Sequence, residues 1–183
     1  MNKGIIFLFF ITNSMFPQTN TILKSNLTDI IVGRYSIGLE TKIRDSFSLG
    51  LDIDVINKSV NLESNHPWYP FTSADKQGLI FEPQIRWYNF KKDVTGLYTS
   101  ISGFLAFANY KSAGIENNDW SSLGASFHLG YQIAVNKIIF DSYFGGTYAD
   151  DNYPGPYYES TVLFPAPSGF RFSGGIKLGF ILK

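Results

Sequence analysis

The feature that most constrains this chain is an alternation of apolar and polar residues with a period of two. In the stretch 35–43, Tyr, Ile, Leu, Thr and Ile occupy the odd positions, while Ser, Gly, Glu and Lys occupy the even ones. Successive side chains of a β-strand point to opposite faces, so this stretch predicts a strand with one apolar and one polar face. The pattern recurs and predicts eight strands, at 23–29, 35–43, 47–55, 79–88, 97–110, 122–135, 138–149 and 170–182.

The connections between these strands alternate in length. Residues 44–46, 90–93 and 136–137 are expected to form short turns, whereas 57–77, 111–121 and 150–168 are expected to form long loops. The connection 30–34 belongs to the long-loop end but is short. Short turns at one end and long loops at the other are typical of outer-membrane barrels. The predicted fold class is therefore all-β, an eight-stranded antiparallel up-and-down transmembrane β-barrel.

The apolar face of the strands is predicted to point outwards, towards lipid. Its large residues include Phe47, Phe81, Trp87, Phe107, Phe127, Tyr131, Phe140, Phe144, Phe172 and Phe180. The interior of an eight-stranded barrel is just wide enough for side chains to fill, so it has no room for these residues. A soluble lipid-binding barrel would show the same alternation with the apolar face inside, and this bulk argues against it. Composition agrees, because aromatic residues make up 17% of the chain and charged residues only 16%, against about a quarter charged in soluble domains.

The opposite face is rich in small residues and carries the charges of the strands. We expect these charges to form an ionic network that plugs the lumen, because buried charges require partners. The predicted members are Glu40, Lys42, Asp52, Asp54, Glu82, Arg86, Asp141, Arg171 and Lys177, with Lys24 nearby. A narrow path for small solutes between rearranging ion pairs is the alternative.

The first residues have the layout of a secretory signal peptide. Lys3 precedes the apolar run Gly4 to Ile11, which is too short to span a bilayer as a helix. We expect residues 1–18 to be removed, with the cleavage point between 14 and 18, and residues 19–183 to form the barrel. The expected location is the outer membrane. Fifteen basic residues balance fifteen acidic ones, so nucleic acid is not an expected partner, and the absence of Cys excludes disulfides and cysteine metal sites.

Two further sets of residues bear on function. His128 lies in a strand two residues after Ser126, but no acid is placed beside it by sequence, so we expect no catalysis and no cofactor. An outer-membrane lipid-modifying enzyme is the third function considered, after a structural or surface-interaction role and a small-solute pore. Aromatic residues of the long loops are expected either to contact an extracellular glycan or protein, or to fold over the rim; they are Trp68, Tyr69, Phe71, Tyr153, Tyr157 and Tyr158.

Two expectations concern details of the wall. Aromatic girdles are predicted at the two ends, with Trp87, Tyr88 and Phe90 at the short-turn end, and Trp68, Tyr69, Tyr110, Trp120, Tyr148 and Tyr153 at the long-loop end. A β-bulge is predicted near Pro83, because proline removes a donor from the strand ladder and a closed barrel has no edge to accommodate it.

Several segments resemble known outer-membrane proteins. Ser173, Gly175, Leu178 and Phe180 match the polar, glycine, apolar and aromatic positions of the signal that the barrel assembly machinery reads. Leu23–Leu27, Ile37–Glu40, Pro83–Tyr88 and Gly124–Tyr131, in that order, resemble an uncharacterised family of small outer-membrane β-barrel proteins common in Bacteroidetes, over nearly the whole mature chain. The resemblance is broadly to eight-stranded barrels similar to OmpA, OmpX and OmpW. It implies anchoring, adhesion or small-solute passage, with outer-membrane lipid and the assembly machinery as partners.

Overall fold

A computed structural model describes residues 21–64, 71–89, 95–111, 119–153, 157–159 and 168–182. The predicted signal peptide lies outside these residues, as do Trp68, Tyr69 and Phe90. The elements are β1 (Thr21–Asn26), α1 (Leu27–Ile31), β2 (Arg34–Arg44), β3 (Phe47–Ser64), β4 (Phe71–Tyr88), β5 (Gly96–Lys111), β6 (Asp119–Val135), β7 (Ile138–Asn152), β8 (Tyr157–Glu159) and β9 (Gly169–Ile181). Among the described residues, no helix is long and apolar enough to cross a membrane.

Eight of these strands form a closed antiparallel ring. The strands from β2 to β7 pair in chain order, β9 pairs with β7, and β1 closes the ring by pairing with both β2 and β9. Strand β8 lies outside the ring and pairs with the far end of β3, where Glu159 is opposite Leu62. The prediction of an all-β, eight-stranded antiparallel barrel is confirmed.

The two faces of the wall are sorted as the alternation predicts. The ten large residues assigned to the outward face are all exposed, from 39% for Phe81 to 82% for Phe172. Small polar residues of the other parity, such as Ser48, Ser100 and Ser102, are buried in the lumen. The ladder keeps this sorting from strand to strand, because Ile53 lies opposite Ile37 on one side and Phe81 on the other.

Charges on the outward face of the described strands lie only near their ends. Asp75, Lys111, Asp119 and Asp150 are at the long-loop end, and the ladder places Asp75 opposite Lys111. Arg44, Asp45 and Lys137 belong to the short turns or adjoin them. Between these levels, residues 97–107 of β5 rise roughly 25 Å along the barrel axis at the usual strand rise and a tilt of about 40°.

The predicted loop 57–77 is wrong for most of its length. Strand β3 continues to Ser64 and β4 begins at Phe71, and the two pair throughout, up to Glu63 opposite Phe71. The outward positions Asn57, Ser59 and Asn61 are polar here, which hides the alternation in the sequence. Ile56, Leu62 and Ala74 occupy inward positions here and are buried, and they form an upper apolar cluster with Ile80, Ala106, Ala108, Tyr110 and Trp120. The inward Lys76 is also buried, and its Nζ lies 3.4 Å from the centre of the Trp120 ring.

The first strand ends earlier than predicted. Residues 27–31 form the short helix α1 instead of the end of a strand. Asn26 caps this helix, because its side-chain oxygen accepts hydrogen bonds from the Thr28 backbone N–H at 3.2 Å and the Thr28 hydroxyl at 2.7 Å. Gly33, with a φ of 73°, then returns the chain into β2.

The bulge predicted near Pro83 is not present. Pro83 lies opposite Leu51 in β3, and the pairing of β4 with β5 is interrupted at Glu82 and Pro83 but resumes in the same register. Proline has no backbone N–H to donate, and Pro83 lies where β4 and β5 are not paired. No extra residue is therefore inserted into β4 to accommodate it. The register of the described strands shifts instead between β2 and β3, between Lys42 and Arg44.

Part of the predicted aromatic girdles is also wrong. Tyr88, Tyr110 and Trp120 are buried inside the barrel, because they share the inward parity of their strands. Trp87 and Tyr148 point outwards and are 46% and 62% exposed, respectively. Whether each of these aromatic side chains points inwards or outwards therefore follows from the alternation along its strand, and not from its place at a strand end.

Candidate functional site

Four charged side chains form an ionic cluster in the lumen near the short-turn end. Its members are Lys24, Glu40, Arg86 and Asp141, each at most 3% exposed. The Lys24 Nζ lies 2.5 Å from Glu40 Oε2 and 2.7 Å from Asp141 Oδ2. The Arg86 Nη1 lies 2.6 Å from Asp141 Oδ2 and 3.2 Å from Glu40 Oε2. Two cations and two anions therefore form a neutral group, as buried charges require.

Neutral polar groups complete the hydrogen bonding of this cluster. Glu40 Oε1 accepts from the Tyr88 and Ser48 hydroxyls at 2.5 Å each, and Asp141 Oδ1 accepts from the Tyr98 hydroxyl at 2.5 Å. The Gln132 side-chain oxygen accepts from Lys24 and Arg86 at 2.5 and 3.3 Å. All four carboxylate oxygens of the ionic cluster have a donor, which favours one fixed arrangement over a rearranging path.

Apolar side chains pack next to the ionic cluster. Tyr88 and Tyr98, whose ring centroids are 5.4 Å apart, belong to a buried group with Ile22 and Ile139. Ile139 follows the short turn that precedes β7, so this group lies at the short-turn end of the lumen. Together, the ionic cluster and this group fill that end of the barrel.

A second ion pair joins the ionic cluster through an amide. Lys177 contacts Asp52 across the lumen, and the Gln84 Nε2 donates to Asp52 Oδ2 at 2.8 Å. The Gln84 Oε1 in turn accepts from the Arg86 Nε at 2.9 Å. The network thus extends from β1 and β2 across the barrel to β4, β7 and β9.

Four of the nine charges predicted for the network lie apart from it. Arg171 contacts Asp151 near the long-loop end. Lys42 is partly exposed near the short-turn end and forms no ion pair with the described residues. Asp54 and Glu82 face a cavity, described next. Lys24, predicted to lie near this set, is a member of the network. Ser48, Tyr98 and Gln132 also belong to it and were not predicted, because strand alternation shows which side chains enter the lumen but not which neutral groups meet a given carboxylate.

A cavity of about 510 Å³ lies in the lumen beyond the ionic cluster. Arg86 and Lys177 line it, as do the aromatic side chains of Phe104 and Tyr143 and the hydroxyl groups of Ser126 and Thr147. Trp120 of the upper apolar cluster also borders it. The volume is within the range of small-molecule sites.

The charges that line the cavity leave two carboxylates without a cationic partner. Each lining cation has a carboxylate contact: Arg34 with Asp29 at 2.5 Å, Arg86 with Asp141, Lys177 with Asp52, and Arg171 with Asp151. Glu82 accepts one hydrogen bond, from the Ser102 hydroxyl at 2.6 Å. Asp54 is only 4% exposed and has no hydrogen bond or ion pair with the described residues. Asp54 on β3 and Glu82 on β4 therefore face the cavity without a cation in contact among the described residues.

His128 also lines the cavity, and its hydrogen-bond partner is Ser173. Its Nε2 lies 2.7 Å from the Ser173 Oγ, and Ser173 also accepts a hydrogen bond from the Thr147 hydroxyl at 2.9 Å. Ser126 contacts Thr147 at 2.8 Å instead of His128. The His128 ring packs edge-on against Tyr143, and no acid among the described residues bonds to it. The group lacks the third member of a Ser/His/acid arrangement.

The predicted loop residues are placed only in part. Tyr153 packs on Trp120, with ring centroids 6.4 Å apart, so it covers the upper apolar cluster. The main chains of Phe71, Tyr157 and Tyr158 lie in β4 and β8, so these residues belong to strands. In the predicted assembly signal, Ser173 and Gly175 face the lumen, whereas Leu178 and Phe180 face outwards.

The described residues contain no group of three or more His, Cys, Asp or Glu side chains that could hold a metal ion. In comparisons with known proteins, no protein family, no curated protein and no solved structure matches this chain.

Proposed function

We propose that this protein is a transmembrane barrel of an outer membrane, exported by its first residues and inserted by the barrel assembly machinery. The supporting observation is the wall of exposed, large apolar side chains around the ring, with outward charges of the described strands only near their ends. A water-facing wall of this kind would be an apolar patch far larger than monomeric proteins normally expose. Closed barrels are the form in which strands cross a bilayer, because the ring pairs the backbone groups of neighbouring strands.

The proposed role is structural or surface-interacting, without conduction and without catalysis. The ionic cluster supports the first exclusion, because four buried charges and their neutral partners fill the lumen near the short-turn end. No acid among the described residues bonds to His128, which supports the proposed absence of catalysis. Contacts with an extracellular glycan or protein are assigned to the long-loop end, where the predicted aromatic residues include Trp68 and Tyr69.

Membrane fractionation and gel mobility test the membrane placement. The expressed full chain is expected in the outer-membrane fraction, and the purified protein is expected to migrate faster without boiling than after boiling, as folded outer-membrane barrels do. Recovery as a soluble periplasmic protein would contradict the placement and the assignment of the outward face.

Planar-bilayer recording tests the closed lumen. The refolded protein is expected to show no steady channels at neutral pH, because the buried side chains of the ionic cluster and of the apolar group beside it occupy the lumen at the short-turn end. The double variant Arg86→Ala/Tyr98→Ala removes two large side chains from this region and is expected to show conductance steps. Steady channels in the unmodified protein would favour the alternative, a pore for small solutes.

A further inference from the structure

Among the described residues, no strand joins β2 to β9 beyond the end of β1, so the described part of the wall has a lateral gap there. Strand β1 is six residues long, and its pairing with β9 stops at Asn26 opposite Lys177. Residues 169–176 of β9 pair with β7 on one side, and no described strand pairs with their other side. Residues 34–37 of β2 likewise lie beyond the pairing with β1, which ends at Gly38.

Helix α1 fills only part of this gap. The Thr28 hydroxyl accepts a hydrogen bond from the Ile176 backbone N–H at 3.3 Å, which attaches the helix to β9. The outer surface of the helix is apolar, since Ile30 and Ile31 are 48% and 85% exposed. The gap therefore opens through an apolar part of the wall.

The lumen cavity extends to this gap. Its lining includes Val32, which is half-exposed after the helix, and Phe172, the most exposed of the outward aromatic residues of β9. Gly174, also outward, lines it too. Residues of the outer surface and residues of the lumen thus border the same space.

The two carboxylates without a cationic contact, Asp54 and Glu82, lie on β3 and β4, next to β2. Asp54 lies opposite Ser36 of β2 and opposite Ile80 of β4. Glu82 is two residues from Ile80, so the two carboxylates are diagonal neighbours on the inward face. A buried carboxylate without a donor is costly unless a cation or a proton joins it. Phe104 and Tyr143 line the same cavity, and Lys177 already lies 5.3 Å from the centre of the Tyr143 ring, so an aromatic side chain here is compatible with a cation.

We propose that the cavity binds the ammonium head of an amphiphilic amine at Asp54 and Glu82, while the apolar chain of the ligand lies in the lateral gap beside Phe172. The inference rests on the proposed membrane placement, because lipid then borders the gap. The absence of a metal-binding group among the described residues favours an organic cation over a metal ion. An alkylamine has both required parts, a compact cation and an apolar chain.

Binding is tested with the full barrel in nanodiscs of a phosphocholine lipid, titrated with dodecylamine and followed by amide chemical shifts near Asp54 and Gly174. We expect saturable shifts with dodecylamine and none with dodecanoate, which has a similar chain and the opposite charge. The variant Asp54→Asn/Glu82→Gln is expected to bind at least ten-fold more weakly. Asp75→Asn, which removes a carboxylate from the outer surface of β4, serves as the matched control and is expected to bind as the unmodified protein does.

The route through the wall is tested separately by Phe172→Asn. This variant is expected to weaken dodecylamine binding several-fold and to leave the affinity for butylamine unchanged, because the short amine does not reach the gap. Phe127→Asn, at an outward position of β6, is the control for a general change in the wall.

Each outcome bears on a different part of the proposal. Unchanged binding in Asp54→Asn/Glu82→Gln, or equal binding of dodecanoate, would reject the cation site. An unchanged dodecylamine affinity in Phe172→Asn would reject the lateral position of the chain. Gel mobility of every variant reports folding. Absence of dodecylamine binding by the unmodified, correctly inserted barrel would reject this inference and leave the proposed function intact.

Discussion

Replacing Arg86 with methionine is expected to lower the free energy of unfolding by about 3–5 kcal/mol, the usual cost of breaking a buried ion pair. The substitution leaves Glu40 and Asp141 with Lys24 as their remaining cation, so one buried negative charge becomes unpaired. Tyr98 also loses the guanidinium that lies 4.5 Å from its ring centre. Urea unfolding of the protein in lipid vesicles measures the change.

Two control variants separate charge balance from packing. In Arg86→Met/Asp141→Asn, one cation and one anion remain, so we expect a clearly smaller loss than in Arg86→Met alone. Lys42→Met removes a lysine that forms no ion pair with the described residues, and a change below about 1 kcal/mol is expected. Similar losses in Arg86→Met and Lys42→Met would show that the ionic cluster does not stabilise the barrel.

If the outward face contacts lipid as proposed, replacing Ile101 with arginine is expected to cost about 2–4 kcal/mol, because a lipid-facing cation near the bilayer midplane carries that penalty. Ile101 is 65% exposed on the outward face of β5 and lies between Ile85 and Phe127 of the neighbouring strands. The same urea measurement applies, with insertion into vesicles followed by gel mobility.

Leu97→Arg is the matched control on the same strand and the same face. Leu97 lies next to the short-turn end, where the penalty for a cation falls to about 0–1 kcal/mol. If both arginine variants were as stable as the unmodified protein, the outward face would be in contact with water and the membrane placement would be wrong.

The faces of the barrel were predictable because the signal is repeated in every strand. A shift of one residue would move Phe107 and Phe127 into a lumen that cannot hold them, so parity is strongly specified. The ends of β3 and β4 were not predictable in this way, since polar residues such as Asn57 and Ser59 replace the apolar ones on the outward face. Helix α1 had a signal that the alternation hid, namely a capping Asn26 before a short apolar run.

The partners within the lumen depend on strand register and tilt. His128 and Ser173 are 45 residues apart and meet across β7, which no local pattern indicates. Gln132 and Tyr98 likewise join the ionic cluster from strands that carry none of its charges. Sequence therefore predicts which residues enter the lumen, while the closed ring decides which of them meet.

The shortness of β1 has a consequence for how the ring is joined. Strand β9 pairs with β7 over twelve residues but with β1 over only five. Contacts between the first and last strands also span the greatest distance along the chain. Forming them therefore has the highest loop-closure entropy cost of the pairings in the ring. The Lys24 contact with Asp141 crosses this pairing of the first and last strands, from β1 to β7. The ionic cluster thus links the first strand to the strands that precede the last one, and it helps to keep the sheet closed into a cylinder.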